Sequence, residues 1–212
     1  MVERLLIYGA SGHGKVVADA ARLSGWEVAG FADDDEAKRG TRLLGYPVDA
    51  IGRDEAVRFA HASGARFAVA IGDNAIRRLI YEALVAAGLP AAIVRHPSAV
   101  IAATARLGPG TVAFAGVVVN PDTVVGANTI LNTACSLDHD NTIGDHVHLS
   151  PGARLGGGVR VGAGVHVGLG ACLRNNVTIG AWTVIGMGAV VVKDIPPGVT
   201  AFGVPARVQE ER

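Results

Sequence analysis

The sequence predicts a two-domain chain: a small parallel α/β domain followed by an all-β parallel β-helix of hexapeptide repeats. Two observations carry this. From residue 101 every sixth position is aliphatic: Ile101, Leu107, Ala113, Val119, Val125, Leu131, Leu137, Ile143, Leu149, Leu155, Val161, Val167, Leu173, Ile179, Ile185 and Val191. Before that register begins, short apolar runs alternate with amphipathic stretches and glycine turns, the pattern of strand–helix units around a parallel sheet. Composition agrees, since 29 glycines in 212 residues is about twice average usage, aromatics are 5%, and no Gly-X-Y period exists.

In chain order, Leu5-Leu6-Ile7-Tyr8 is a first strand that ends in Gly9-Ala10-Ser11-Gly12-His13-Gly14-Lys15. Val16 to Leu23 reads as an amphipathic helix stopped by Gly25, and Val28 to Phe31 as a second strand closing on Asp33-Asp34-Asp35. Phe67 to Ile71 is a further strand, leading through Gly72-Asp73-Asn74 into a helix over Ala75 to Ala87 with Ile76, Leu79, Ile80 and Leu84 on one face. A last strand, Ala91 to Val94, precedes His96-Pro97. The domains are placed at 1–96 and 97–212, the second ending in a C-terminal tail.

A period of six fits neither a helix at 3.6 nor plain strand alternation at 2.0. It fits very short strands joined by turns, three faces making an 18-residue coil, with coils stacked at about 4.8 Å. The aliphatic fills the interior. The residue two before it is small or β-branched (Thr111, Val117, Thr123, Thr129, Val147, Ala153, Val165) and fits the tapering corner. Glycine follows the aliphatic at eight positions and is expected to relieve the turn backbone.

Composition also excludes partners. With 19 Lys+Arg against 19 Asp+Glu the formal net charge is zero, so no basic excess exists to neutralise nucleic-acid phosphates or an anionic membrane. The apolar run at the N-terminus is too short for a signal peptide or a membrane span, and no insertion into a membrane is expected. Cys135 and Cys172 have no metal spacing and suggest no disulfide framework, which points to a cytoplasmic protein.

The loop Gly9-x-x-Gly12-x-Gly14 lies between a strand and a helix, where backbone N–H groups can approach phosphate oxygens at the helix N-terminus. Its glycine order is not the dinucleotide fingerprint. Asp33 and Asp34 fall about 20 residues on, where a carboxylate can accept ribose hydroxyls. A mononucleotide or nucleotide-sugar suits so small a domain; a purely structural turn with a solvated acidic loop is the other reading.

Among seven histidines, His139 stands out. It sits in Leu137-Asp138-His139-Asp140, a hexad without the usual glycine, and departures from a repeat mark functional positions. A flanking carboxylate can orient the ring and support imidazolium, which suits a general base; its unperturbed pKa of about 6.5 leaves it mostly neutral at pH 7. An exposed turn histidine is the alternative. His148 and His166 stand one coil apart on one face, but the spacing of a three-histidine zinc site is absent and no metal is expected. His61, His96 and His146 read as surface or packing residues.

The repeat is similar to that of hexapeptide-repeat acyltransferases. More narrowly, Ile7-Tyr8-Gly9-Ala10-Ser11-Gly12-His13-Gly14, Ile71-Gly72-Asp73-Asn74, His96-Pro97-Ser98-Ala99, Leu131-Asn132-Thr133, Asp138-His139-Asp140 and Gly203-Val204-Pro205-Ala206-Arg207 resemble the nucleotide-sugar 4-amino N-acetyltransferases of bacterial glycan synthesis, to which sialic acid O-acetyltransferases are close relatives. The resemblance implies a Rossmann-like nucleotide-sugar-binding domain, a left-handed β-helix and a homotrimer with sites between neighbouring β-helices. It implies acetyl-CoA as co-substrate, His139 as general base and Asp140 as its tuning acid. His148, a Gly157 backbone N–H serving as oxyanion hole, Leu169 and Met187 would meet acetyl-CoA; Ser11, Gly12, His13, Asp33, Asp34 and Gly72 would meet the nucleotide-sugar. Lys15 receives no role. The expected reaction is direct attack of the amine of a nucleotide-linked 4-amino-6-deoxy sugar on the thioester, without a serine or cysteine nucleophile. The alternatives are O-acetylation of a sialic-acid-type sugar and a non-catalytic nucleotide-sugar-binding scaffold. A nicotinamide oxidoreductase fits worse, because the glycine order is wrong and the repeat domain would have no task.

Overall fold

A computed structural model describes residues 2–209. The chain divides between Pro97 and Ser98 into two compact units.

The first unit is a five-stranded sheet flanked by helices. Its elements are β1 (Arg4–Tyr8), α1 (Gly12–Leu23), β2 (Glu27–Asp33), β3 (Arg42–Leu43), β4 (Tyr46–Ile51), α2 (Gly52–Ser63), β5 (Arg66–Val69) and α3 (Asn74–Ala86). Strand order is β3-β4-β2-β1-β5, parallel except for the short β3–β4 hairpin. Leu5, Leu6, Ile7 and Tyr8 are fully buried, so β1, between β2 and β5, is the apolar interior strand that its continuous hydrophobic run requires. The strand and helix at 46–63 are absent from the sequence reading. Pro47 interrupts the strand signal, and α2 buries only Ala56 and Ala60, too small a stripe to stand out. The phase of α3 also differs. Ile76 and Leu79 are exposed, and the buried face carries Arg77, Ile80, Tyr81 and Leu84. The Arg77 guanidinium turns inward because it donates to the Ile71 carbonyl at 3.1 Å and fastens the loop after β5.

The second unit is a triangular coil. Two-residue strands recur every six residues from Val100–Ile101 to Val190–Val191 and stack with neighbours 18 residues away, as in Val118↔Ser136 and His148↔His166, into three parallel sheets. The sixth-position aliphatics from Ala113 to Val191 form one buried column. The residues two before them, Thr111, Val117, Thr123, Thr129, Val147, Ala153 and Val165, are fully buried at the corners. A closing hairpin, Thr200–Gly203 with Ala206–Val208, caps one sheet.

The glycines act differently from expectation. Gly108, Gly126, Gly144, Gly156, Gly162, Gly168, Gly180 and Gly186 do not take left-handed φ; a Cβ at each would come within 2.6 Å of atoms in the next coil, so they permit close stacking. The left-handed residue comes two positions later. Fourteen corners at six-residue spacing, from Gly110 to Gly188, all have φ between 53° and 77°, and half of them are not glycine. Asp122, Asn128, Asp140 and Asn176 are types whose short polar side chains tolerate that conformation. Among the described residues no helix is long and apolar enough to cross a membrane.

Candidate functional site

The first unit gathers its candidate residues at the carboxyl edge of the sheet. Ser11, Gly12 and His13 follow β1, Asp33 ends β2 with Asp34 next after it, and Gly72 follows β5. The chain leaves β1 for β2 on one side and later lays β5 on the other, so these loops flank the switch point at which open α/β sheets bind ligands.

The three loop glycines serve different ends. A Cβ on Gly9 (φ +114°) would lie 2.6 Å from the Ala70 carbonyl oxygen, and one on Gly14 would lie 2.2 Å from the Gly9 carbonyl oxygen; both are needed by the protein's own packing. Gly12 and Gly72 face open space. The first turn of α1 carries no acidic residue and Ser11 makes no side-chain cap, so the positive end of the helix dipole is not offset by a carboxylate of its own first turn.

The two aspartates differ. Asp33 accepts from the Ala10 N–H at 2.7 Å, from Lys38 Nζ at 2.8 Å and from the Asp35 N–H at 3.0 Å, using about three of its four lone-pair directions. Burial pushes its carboxyl upward, and those donors outweigh burial and hold it below the usual carboxylate range. It braces the glycine loop. Asp34 is exposed, accepts the buried Tyr8 hydroxyl, and lines an open cavity of about 430 Å³ with Arg53, Asp54 and Arg58, none of which the sequence reading singled out. His13 is neutral at pH 7, because burial and then the nearby Arg77 lower its pKa to about 4.

In the second unit His139 and Asp140 occupy one corner. His139 Nδ1 lies 2.6 Å from Asp140 Oδ2, and both side chains are exposed. The left-handed φ of 61° at Asp140 bends its carboxylate back onto the preceding ring. Four further bonds pin the turn. Asp138 accepts the His139 N–H at 2.9 Å and the Asn120 amide at 3.1 Å, while its carbonyl accepts from Thr123 Oγ1 at 2.8 Å and Asn141 Nδ2 at 2.7 Å. Asn141 is a polar residue in a buried corner position where the repeat otherwise places small or β-branched side chains, a signal that the sequence reading passed over. The hydrogen bond to Asp140, then the charge of Asp138, raises the His139 pKa above its ordinary value.

One coil on, Gly157 lies beneath that ring; a Cβ there would meet His139 Cε1 at 2.7 Å and Nε2 at 2.8 Å. The Gly157 N–H has no acceptor among the described residues. His148, Leu169 and Met187 are not brought to this corner. His148 is buried on the sheet strand His148–Leu149, and Leu169 and Met187 are exposed at the corner following that face, in neighbouring coils joined by a 2.7 Å bond from the Gly188 N–H to the Leu169 carbonyl. Cys135 is buried in the core and burial pushes its thiol to about 12, which removes it as a nucleophile. Among the described residues no group of three or more His, Cys, Asp or Glu side chains could hold a metal ion.

The PglD N-terminal domain family matches residues 4–84. Over the whole chain the protein is similar to a histidine-to-asparagine variant of perosamine N-acetyltransferase from Caulobacter crescentus in complex with CoA and GDP-perosamine: 39% identity, 100% of this chain and 99% of that one, TM-score 0.93. It is similar to the acetyltransferase domain of PglB from Neisseria gonorrhoeae FA1090 in complex with acetyl coenzyme A (36% identity, 99% and 100% covered, TM-score 0.89) and to WeeI from Acinetobacter baumannii AYE (27%, 98% and 100%, TM-score 0.84). A six-residue repeat that follows a small α/β domain in the chain, matched end to end, therefore places this chain in the hexapeptide-repeat, left-handed β-helical sugar N-acetyltransferase family, a family of acyltransferases.

Proposed function

We propose that the chain acetylates the amine of a nucleotide-linked 4-amino-6-deoxy sugar from acetyl-CoA, with His139 as general base. The observation that carries this is the His139–Asp140 pair, 2.6 Å apart, lying over an unpaired Gly157 N–H. The amine lone pair attacks the thioester carbonyl while His139 Nε2 takes the ammonium proton. Negative charge developing on the carbonyl oxygen is met by the Gly157 N–H, and the tetrahedral adduct collapses with departure of the CoA thiolate, to which the imidazolium can return the proton. Relatives bound to CoA with GDP-perosamine and to acetyl-CoA support both substrates and favour an amine over a hydroxyl acceptor. The test is CoA release dependent on a nucleotide-linked amino sugar.

In this reading Ser11, Gly12, His13 and Gly72 receive the diphosphate and sugar, Asp34 takes the ribose, and the cavity beside it admits the base, while Asp33 acts through the loop it braces. Gly12 gives a sharp test. Alanine there meets nothing in the protein and removes helix-end backbone freedom, so Gly12→Ala should leave stability unchanged or raise it by up to about 1 kcal/mol. Its KM for the nucleotide-sugar should nevertheless rise about tenfold or more, because the added methyl stands where the phosphates approach. Unchanged KM would place the ligand elsewhere.

His139 and Gly157 share one corner of the β-helix, whereas His148, Leu169 and Met187, also assigned to acetyl-CoA, lie on another face and its following corner, so a complete site needs the corner of a second chain. We propose a homotrimer with three such sites, which also covers the exposed Leu169 and Met187. Sedimentation showing an active monomer would refute it. His148, Leu169 and Met187 then form the acetyl-CoA side. We propose a cytoplasmic step in glycan synthesis that uses no metal; full activity after chelation and dialysis is the check.

The pKa of His139 sets the pH profile. A raised pKa means the neutral base is lost as pH falls, starting above pH 6.5, so kcat/KM should rise with pH along a limb centred above that value. Asp140→Asn removes the largest cause of the shift. Its limb should move to lower pH while the plateau rate drops, and a limb that stays in place would separate Asp140 from the base.

A further inference from the structure

His148 is held by a hydrogen bond whose direction can be read from the backbone. Asn132 Oδ1 lies 2.9 Å from the Thr133 nitrogen. A backbone N–H can only donate, so the atom facing it is the amide oxygen, and the other arm of Asn132 is the NH2 group. That NH2 lies 3.1 Å from His148 Nε2. An NH2 group has only donors to offer, which makes Nε2 the acceptor. In the neutral ring the proton then resides on Nδ1. A second clamp acts on the ring face. His166 stacks on His148 with centroids 4.8 Å apart and planes 5° from parallel, and its own Nε2 lies 2.9 Å from Ser150 Oγ, the same relation moved up one coil. Ring plane, ring flip and tautomer are thus all fixed by residues of adjacent coils.

We infer that Asn132 is a positioning residue that locks His148 as the Nδ1-protonated tautomer, the form in which the ring meets acetyl-CoA. This deepens the reading of His148 as an acetyl-CoA contact and rests on it. The discriminating variant is Asn132→Asp. It keeps the oxygen that accepts the Thr133 N–H and nearly the same shape, and it exchanges only the NH2 donor for an acceptor. A role confined to capping the turn is untouched by that exchange; the lock is reversed by it.

The experiment is 15N–1H NMR on histidine-labelled full-length protein at pH 9, where imidazole is neutral, with His148 signals identified by their absence in His148→Asn, alongside steady-state kinetics. The wild type should show Nδ1 protonated and Nε2 bare, and Asn132→Asp should carry the proton on Nε2. In that variant KM for acetyl-CoA should rise about tenfold or more while KM for the nucleotide-sugar stays within about twofold, the signature of lost co-substrate binding. A wild-type Nε2–H, or an Asn132→Asp enzyme with unaltered acetyl-CoA KM, overturns the lock. His148→Ala with unaltered acetyl-CoA KM overturns instead the placement of His148 at acetyl-CoA, and with it the function of the lock, whatever the tautomer.

Discussion

His139→Ala should lower kcat by about 10²–10⁴, the span of a positioned general base, with the KM values of both substrates little changed. The side chain is exposed and contributes nothing to the core, so its loss leaves no cavity and the variant should melt with the wild type. The turn itself survives, because Asp138 fastens it through Asn120, Thr123 and Asn141 rather than through the imidazole. What disappears is the acceptor for the ammonium proton. The Gly157 N–H and the substrate-binding loops stay, so residual turnover above the uncatalysed rate is expected. A fall of less than about tenfold at saturating substrates would exclude His139 as the base.

Gly157→Ala should produce the second largest effect, through geometry alone. The backbone at 157 lies in an ordinary region, so alanine is conformationally allowed, but its methyl would sit 2.7 Å from Cε1 and 2.8 Å from Nε2 of His139. The ring must swing away, and because the bond to Asp140 tethers it at Nδ1, the displacement falls on Nε2, the atom that takes the proton. Misplacement by about 1 Å costs up to about 10²-fold, so kcat should drop by about 10–100-fold in a folded protein. The cycle with His139→Ala makes this specific: once the ring is gone the methyl has nothing to displace, and Gly157→Ala should then cost less than about threefold. Equal losses in both backgrounds would mean that the methyl acts on the oxyanion or the thioester instead of the base.

The β-helix was legible because a strict period leaves few physical solutions; sixteen aliphatics in one register specify coil, faces and interior together. The role of the glycines was not. Glycine reads as a turn residue in a sequence, whereas these eight are required by the approach of the next coil, a contact 18 residues away. The left-handed corners escaped for the complementary reason, since half carry side chains and only their shared phase reveals them. In the first domain the periodicity of α3 pointed to Ile76 and Leu79, and the fold buried Arg77 instead, because its hydrogen bond to the Ile71 carbonyl secures a loop whose need no pattern of hydrophobicity records. His139 and Asp140 were legible as a break in the repeat. Asp138 and Asn141, which hold them, belong to the same turn, but Asn120 lies one coil earlier and meets Asp138 only through stacking. Asp33 and Asp34 look alike in sequence; only the fold turns one inward as a brace and leaves the other facing the cavity.

The most direct measurement is thiol release from acetyl-CoA by the purified protein with a panel of nucleotide-linked 4-amino-6-deoxy sugars, GDP-perosamine first, and with sialic acid in parallel. Turnover on an amino sugar, giving a base-stable amide and abolished in His139→Ala, is the result expected. Activity confined to sialic acid, or no CoA release with any acceptor, would contradict it.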